Sequence, residues 1–435
     1  MKPLPYTFWT VALLVSLHAE ILDDINASRL FHLTSEKEAI TLPFAFTSDS
    51  TGTAGGLAYI RQGLVQPQTT FIGAVFGGLD EDVVVNGTEE TKNFKGVFLF
   101  FDDYRLPGSE RLFATLFGVK SYFPKMTYYF DGTHDSSEKD AVVTPGDVDF
   151  GALRLEYVLP IGEGRTNPEG SYRFKNGWVA DRDHAGGGTP FITGRTTAGL
   201  EYFYQYNSFD NYTATHGLKE WESNGLRFYL KHDNTDFEIN PSQGYHFEVK
   251  YSRDFGWGDS LQTWDFAEAK YNHYIPLPAL SWTRKNVLAM SLWTGYSFSW
   301  DEDAPQPYPG IDAHRPPMWE GARLGGMFRM RGYDTNRFSD RAVFYATAEY
   351  RASLTWNPFH NNAYIPVAID WLQIVPFIEA GRVNDTYNTE LLEDMHIDGG
   401  ISFRMMAAKV PVRFDIAVSE ESTNMWVMAY HPFDF

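Results

Sequence analysis

The stretch RLGGMFRMRGYDTNRFSDRAVFYATAEYR, Arg323 to Arg351, decides the reading of this chain. Its second half alternates with period two. Phe344, Ala346, Ala348, Tyr350 and Ala352 fall on one side, and Tyr345, Thr347, Glu349, Arg351 and Ser353 on the other. A strand with one face wholly apolar and the opposite face charged fits a sheet that separates lipid from water. The half before it is a Gly/Arg-rich loop carrying Met330-Arg331-Gly332-Tyr333. An arginine set between apolar residues and followed by glycine points to a buried or lumen-facing cation that needs an acidic partner.

The same alternation spreads outward from this stretch. Tyr245, Phe247, Val249 and Tyr251 oppose His246, Glu248, Lys250 and Ser252, while Thr263 to Ile275 directs Glu268, Lys270 and Asn272 inward. Leu226, Phe228 and Leu230 face outward, as do Leu288, Met290, Leu292, Tyr296 and Phe298. Earlier strands are expected from Leu42, Ala54, Thr70, Lys95, Arg111, Phe150 and Gly199, and later ones over Trp371 to Val383, His396 to Met405, Val412 to Ser419 and Asn424 to Phe435. The sum is an all-β, transmembrane antiparallel barrel of about 16 strands, an even number as single-chain bacterial barrels have. Asp80 to Asn93 and Gly132 to Asp147 are polar and turn-rich and are expected as outer loops. A soluble sandwich would not place broad apolar residues outward on nearly every strand.

The motifs resemble the outer-membrane barrel family of BamA and TamA and the two-partner secretion translocators. In that family the sixth outer loop folds into the lumen with a (Val/Ile)-Arg-Gly-(Phe/Tyr) tip, matched here by Met330, Arg331, Gly332 and Tyr333. Its Phe-x-Asp-x-Gly element is matched by Phe377-Ile378-Glu379-Ala380-Gly381, with glutamate in place of aspartate. The resemblance implies that Arg331 pairs with Glu379 and locks the loop inward, with Glu349 and Arg351 completing the cluster. Arg329 and Arg337 are expected to be solvated loop cations. The resemblance further implies protein or lipid insertion or translocation at the bacterial outer membrane. Two other readings stand beside it: a passive pore with selectivity set by Glu248, Lys250, Glu268 and Lys270, and a surface anchor for a partner protein.

Composition agrees with a barrel. Aromatics make up 16% of the chain, with 25 Tyr and 12 Trp, yet mean hydropathy is only -0.33, as expected when alternate residues meet lipid and aromatics gather at the interfaces. No internal run reaches the roughly 18 apolar residues of a membrane helix. With no cysteine the chain has no disulfide or thiolate metal site, and no cofactor is expected. A formal charge of -20 speaks against a nucleic-acid partner. Outer-membrane lipids and lipopolysaccharide are the expected surroundings, together with a client protein or a separate periplasmic partner.

Residues 1–19, with Lys2, an apolar core from Phe8 to Leu17 and His18-Ala19, read as a signal peptide. Residues 20–41 form a short periplasmic segment, too short for the client-receiving POTRA domains that the family usually carries, and 42–435 form the barrel. The end of the chain, with Trp426, Met428, Tyr430, Phe433 and Phe435, looks like the C-terminal aromatic signal that barrel-assembly machinery reads. Pro432 is tolerated there only at an edge or strand end. Gly258-Asp259-Ser260-Leu261 spells an esterase block, and Asp131-x-x-His134 has the spacing of that family's later Asp/His element. Their order is inverted, however, and the serine falls in an outer loop, so no enzyme is expected. His134, His246, His273 and His396 lack metal-ligand spacing.

Overall fold

A computed structural model describes residues 39–48, 50–170, 174–175, 178–179, 188–189, 191–359, 369–407, 410–429 and 432–434. One antiparallel sheet of 16 strands runs through it in chain order. The strands are β1 (Ala39–Ser48), β2 (Gly52–Gln62), β3 (Thr70–Val85), β4 (Thr88–Arg105), β5 (Leu112–Tyr128) and β6 (Val142–Val158). They continue as β7 (Arg195–Ser208), β8 (Glu220–Thr235), β9 (Gly244–Asp254), β10 (Trp264–Leu277) and β11 (Thr283–Tyr296). The last five are β12 (Ala342–Leu354), β13 (Ile369–Asn384), β14 (His396–Ala407), β15 (Val410–Val418) and β16 (Thr423–Ala429). The expected 1–19 signal and most of the 20–41 segment lie outside the described residues, and β1 begins at Ala39, a little before the expected start.

Alternation rules the wall. On β12, Tyr345, Thr347, Glu349, Arg351 and Ser353 are all buried inside, as their phase requires. On the outer skin, Leu57, Val75, Val97, Leu99, Leu116, Phe228, Leu292 and Ile378 are exposed, which is where hydrocarbon lies in an outer-membrane barrel. No helix among the described residues is long and apolar enough to cross a membrane.

Three expectations change: of the expected outer loop Gly132 to Asp147, the residues from Val142 on belong to β6 and pair with β5. The polar run Asp80 to Asn93 is not a loop: after a register shift between Gly77 and Asp80 the β3–β4 ladder resumes and continues to Val85–Thr88. Above the bilayer a strand has no need of apolar alternation, so its polar residues carry no sign of the ladder. At the other end of the chain, β16 stops at Ala429, not at Phe435. Pro432 starts a 3-10 turn, Pro432–Asp434, and Phe433 turns into the lumen. Tyr430 and Phe435 lie outside the described residues.

The inside is not uniform. From β1 to β6 the inner wall is mainly apolar and aromatic, with Phe44, Phe76, Phe98, Phe100, Phe117 and Phe150 in one cluster, and carries buried charge toward the ends of β4 and β6 at Asp102, Asp103, Arg154 and Glu156. The wall from β7 onward carries buried charge, including Glu201, Arg227, Lys231, Lys250, Lys270, Glu349, Arg351 and Arg404. The connection between β11 and β12, residues 297–341, fills the space between these walls. Its Met318, Trp319, Met327 and Phe328 join the aromatic wall, and its Leu324, Met330, Tyr333 and Phe338 pack with Phe203, Trp264, Phe266 and Trp293. A short ladder of Ala322–Leu324 with Phe338–Asp340 braces it.

Candidate functional site

The tip of this inward loop forms the most heavily charged contact inside the barrel. Met330 has φ 55, an uncommon conformation for a side chain with volume, and it turns the backbone so that Arg331 points at the wall. The Arg331 guanidinium is fully buried and meets three carboxylates, each at 3.2 Å: Glu379 through Nε, Glu349 through Nη2 and Asp415 through Nη1. Its flat face lies 3.4 Å from the centroid of the Phe377 ring. Adjacent strands supply these partners by register. Thr347 pairs with Glu379 across β12 and β13, Glu379 with Asp398 across β13 and β14, and Ser402 with Asp415 across β14 and β15.

The loop backbone is held as firmly as the side chain. The Arg331 amide donates to Glu379 at 2.6 Å and the Gly332 amide to Asp398 at 3.0 Å. The Arg331 carbonyl accepts from the Trp426 indole at 2.8 Å, while the Gly332 carbonyl accepts from Ser419 at 2.8 Å and Ser422 at 2.7 Å. Glycine at 332 is required by close approach. A Cβ there would stand 2.7 Å from the Asp398 Cβ and 2.9 Å from the Ser419 amide. The Tyr345 hydroxyl donates to Glu379 at 2.5 Å, so this carboxylate is saturated with donors.

All four positions of the loop motif are buried inside the barrel, and Glu379, Glu349 and Arg351 are buried on the wall beside the loop tip. Four further members of the cluster were missed. Arg404 donates to Glu349 at 2.6 Å, Arg413 pairs with Asp415, and Asp398 takes the Gly332 amide. Their signal was present as i, i+2 spacing on one face, Arg413 with Asp415 and Ser402 with Arg404, but alternation alone says only "inward". Arg329 and Arg337 are not solvated. Arg329 lies 3.8 Å over the Trp293 ring, and Arg337, fully buried, holds Glu421 at 2.7 Å and Ser136 at 2.6 and 2.8 Å. Both were drawn in because the whole loop is inside, leaving its cations no bulk water.

A second anchor fastens the loop to the opposite wall. Glu320 accepts from Arg227 at 2.7 Å and from Gln205, whose amide oxygen takes the Trp319 indole at 3.0 Å. Arg227 also holds Glu201 at 2.7 Å, and Arg154 holds the same glutamate at 2.6 Å. The loop is therefore a strut that runs from β7 and β8 on one side to β12 through β16 on the other. Above it, residues of the β5–β6 connection form a cover: His134 sits 4.3 Å from the His396 ring, which stacks on Phe338 at 4.0 Å. Burial, then the neighbouring His396, pulls the His134 imidazole below its ordinary value. Asp340, at the foot of the loop, is pushed up to about 6, chiefly by burial.

The expected pore charges answer one another. Lys250 pairs with Glu268 at 3.0 Å, and the space between Glu248, Lys250, Glu268, Lys270 and Arg329 leaves no room for a water molecule. Ser260 of the esterase-like block holds a turn. It donates to Asp254 at 3.0 Å and accepts from the Asn224 amide at 3.1 Å, with Ser223 on the same carboxylate at 2.6 Å. Among the described residues no three His, Cys, Asp or Glu side chains gather as a metal site.

The family model described as the Omp85 superfamily domain matches residues 149–426, more than half of the chain. The chain belongs to the Omp85 superfamily. That membership makes it a bacterial outer-membrane barrel of a family concerned with insertion and translocation. No curated protein matches it in sequence. Among solved structures it is similar to CdiB from Escherichia coli, with a TM-score of 0.53 and 12% identity over 92% of this chain and 62% of that one. It is also similar to CdiB from Acinetobacter baumannii, with a TM-score of 0.48 and 11% identity over 89% and 58%. BamA from Haemophilus ducreyi lacking POTRA domains 1-3 matches with a TM-score of 0.47 and 12% identity over 91% and 69%. The chain thus spans less than two thirds of either CdiB chain, and the likeness at these identities is one of fold.

Proposed function

We propose that this Omp85 barrel inserts or translocates proteins or lipids at the outer membrane, in the manner of BamA and TamA, and that it works without catalysing a chemical reaction. The observation that carries this reading is the pair of end strands. The sheet runs in chain order from β1 to β16, so the first and last strands meet at the seam of the barrel. With 7 residues β16 cannot cover the 10 of β1, and an uncovered stretch of strand edge is a template for another strand. The wall is also lowest on this side: β16 has 7 residues and β15 has 9, against 18 in β4 and 17 in β5. A short wall thins the bilayer beside it, which lowers the barrier to an entering hairpin or lipid.

The strut supports the same reading. It ties β12 through β16 to β7 and β8, so the wall stays standing while its seam is open. It also fills the lumen, and the mutual pairing of Lys250 and Glu268 speaks against a passive pore. Acidic outer loops would lie against divalent cations bridging lipopolysaccharide, and a separate periplasmic partner would deliver the client.

The chain has no cysteine, so a single pair introduced on β1 and β16 gives a clean reversible staple. In liposomes the barrel should speed insertion of an unfolded outer-membrane client. The oxidised staple should abolish that effect, and reductant should restore it. A large steady conductance in planar bilayers, with no effect on client insertion, overturns the proposal in favour of a pore.

A further inference from the structure

Past the end of β16 at Ala429, residues Pro432–Asp434 form a 3-10 turn off the wall. Phe433, only 2% exposed, seats against Tyr274, Val287 and Ala289. Those three residues belong to β10 and β11, whereas the tail springs from β16, with β12 to β15 between them in the sheet. The tail is therefore a chord across the periplasmic mouth. Asn272 on β10 donates its amide to the Phe433 carbonyl at 2.8 Å, and its amide oxygen accepts from Ser291 at 2.7 Å, so the donor is aimed.

Beside the ring stands Arg351. Its guanidinium carbon is 4.9 Å from the Phe433 ring centroid and 5.3 Å from that of Tyr274. Nε donates to Glu349 at 2.9 Å. The two terminal nitrogens donate to nothing among the described residues, although the side chain is 1% exposed. Glu349 is already shared with Arg331 and Arg404. A buried guanidinium edge with idle N–H groups is costly, and that edge is the fork that grips a carboxylate with two parallel bonds.

An apolar slot, an amide aimed at a backbone carbonyl and an unused fork lie side by side. We propose that they form a receptor for an extended peptide segment presenting an aromatic side chain beside a carboxylate, and that Phe433 is a placeholder which such a segment displaces. The tail already fills the slot and the amide, which defines two of the three features the site accepts. The fork defines the third. A free phosphate or a lipid headgroup would use the fork alone and leave the slot and the amide unexplained. The source of the peptide rests on the insertion reading given above, but its binding does not depend on the seam.

The test uses the full chain in a non-ionic detergent and a fluorescein-labelled hexapeptide ending in phenylalanine, made with a free carboxylate and as the amide. Phe433→Ala, which empties the slot, should bind the acid tighter than the parent does, and the acid over the amide by about tenfold or more, the range of a charge-assisted bond. Adding Arg351→Gln should make acid and amide equal. In the otherwise intact chain, Phe433→Trp adds an indole whose emission, taken as the difference from the parent, should shift to the red as an unlabelled acid peptide is added. That variant keeps the proposal testable if Phe433→Ala does not fold. Equal binding of acid and amide to Phe433→Ala, an unmoved difference emission from Phe433→Trp, or displacement of the peptide by equimolar inorganic phosphate overturns it. A chain stapled at the seam should still bind the peptide, so failure here and failure of the insertion reading are separate results.

Discussion

Removing Arg331 is the sharpest perturbation of the strut. Arg331→Ala deletes three ion-pair contacts at 3.2 Å and the cation over Phe377. The three carboxylates are left in unequal states. Glu349 retains Arg351 and Arg404, and Asp415 retains Arg413. Glu379 has no other cation paired with it among the described residues and keeps the Tyr345 hydroxyl, the residue 331 amide and the side chain of Asp398. The loss therefore concentrates on Glu379, and stranding a buried charge in this way costs about 3–5 kcal/mol. Neutralising that carboxylate as well, with Glu379→Gln, removes the stranded charge, so the double variant should be about 1–3 kcal/mol less destabilised than the sum of the two singles. Urea unfolding in lipid vesicles, followed by tryptophan emission, measures all four corners of the cycle. A second readout places a cysteine at position 333 of this cysteine-free chain and asks for labelling by an impermeant maleimide from outside. Additivity within about 0.5 kcal/mol, together with a residue 333 thiol as protected as in the parent, would refute the reasoning.

The far anchor should fail differently: Glu320→Gln weakens the Arg227 contact by about 1–3 kcal/mol and should expose a thiol at position 319 to labelling while position 333 stays protected. Asp340 gives the loop a pH dependence. Its carboxyl titrates near 6 in the folded chain against 3.8 ordinarily, so the folded state holds the proton more tightly, and this stabilisation is complete below about 3.8 and is lost as pH rises through 6. Hydrogen exchange of the loop amides, corrected for intrinsic rates, should accordingly be faster at pH 7.5 than at pH 5, and Asp340→Asn should remove the difference.

Strands were legible because lipid and lumen impose opposite demands on neighbouring residues. The phase of Tyr345 to Ser353 survives unchanged, and so do those of β9, β10 and β11. Arg331 and Glu379 could be paired because each sits in a short motif whose glycine marks close approach, as Gly332 does against Asp398. The Glu320–Arg227 anchor was not legible. The loop that holds Glu320 has no period, and 93 residues separate it from its partner. Arg329 and Arg337 were read as solvated for the same reason: nothing local tells an aperiodic loop in water from one in a lumen. The tail did carry a warning. Trp426, Met428 and Tyr430 share one phase, Phe433 and Phe435 the other, and Pro432 stands at the break.

The apolar inner wall bears on how the barrel is built. From β2 to β5 both faces are largely apolar, with Leu57, Val75, Leu99 and Leu116 outside and Ala58, Ile72, Phe98 and Phe117 inside, and the buried Asp102 and Asp103 interrupt the inner face near the end of β4. Slipping such a strand by one residue exchanges one greasy face for another, so burial cannot proofread its pairing as it does where one face is charged. Two devices remain to set the alignment. One is the set of register shifts at Gly77/Asp80, Phe101/Tyr104 and Phe123/Met126, which interrupt three successive ladders in this half. The other is Trp319 and Phe328, far later in the chain, which give the inner surface a shape to be matched. The half of the cylinder that leaves the ribosome first is thus the half whose alignment must wait longest for its template.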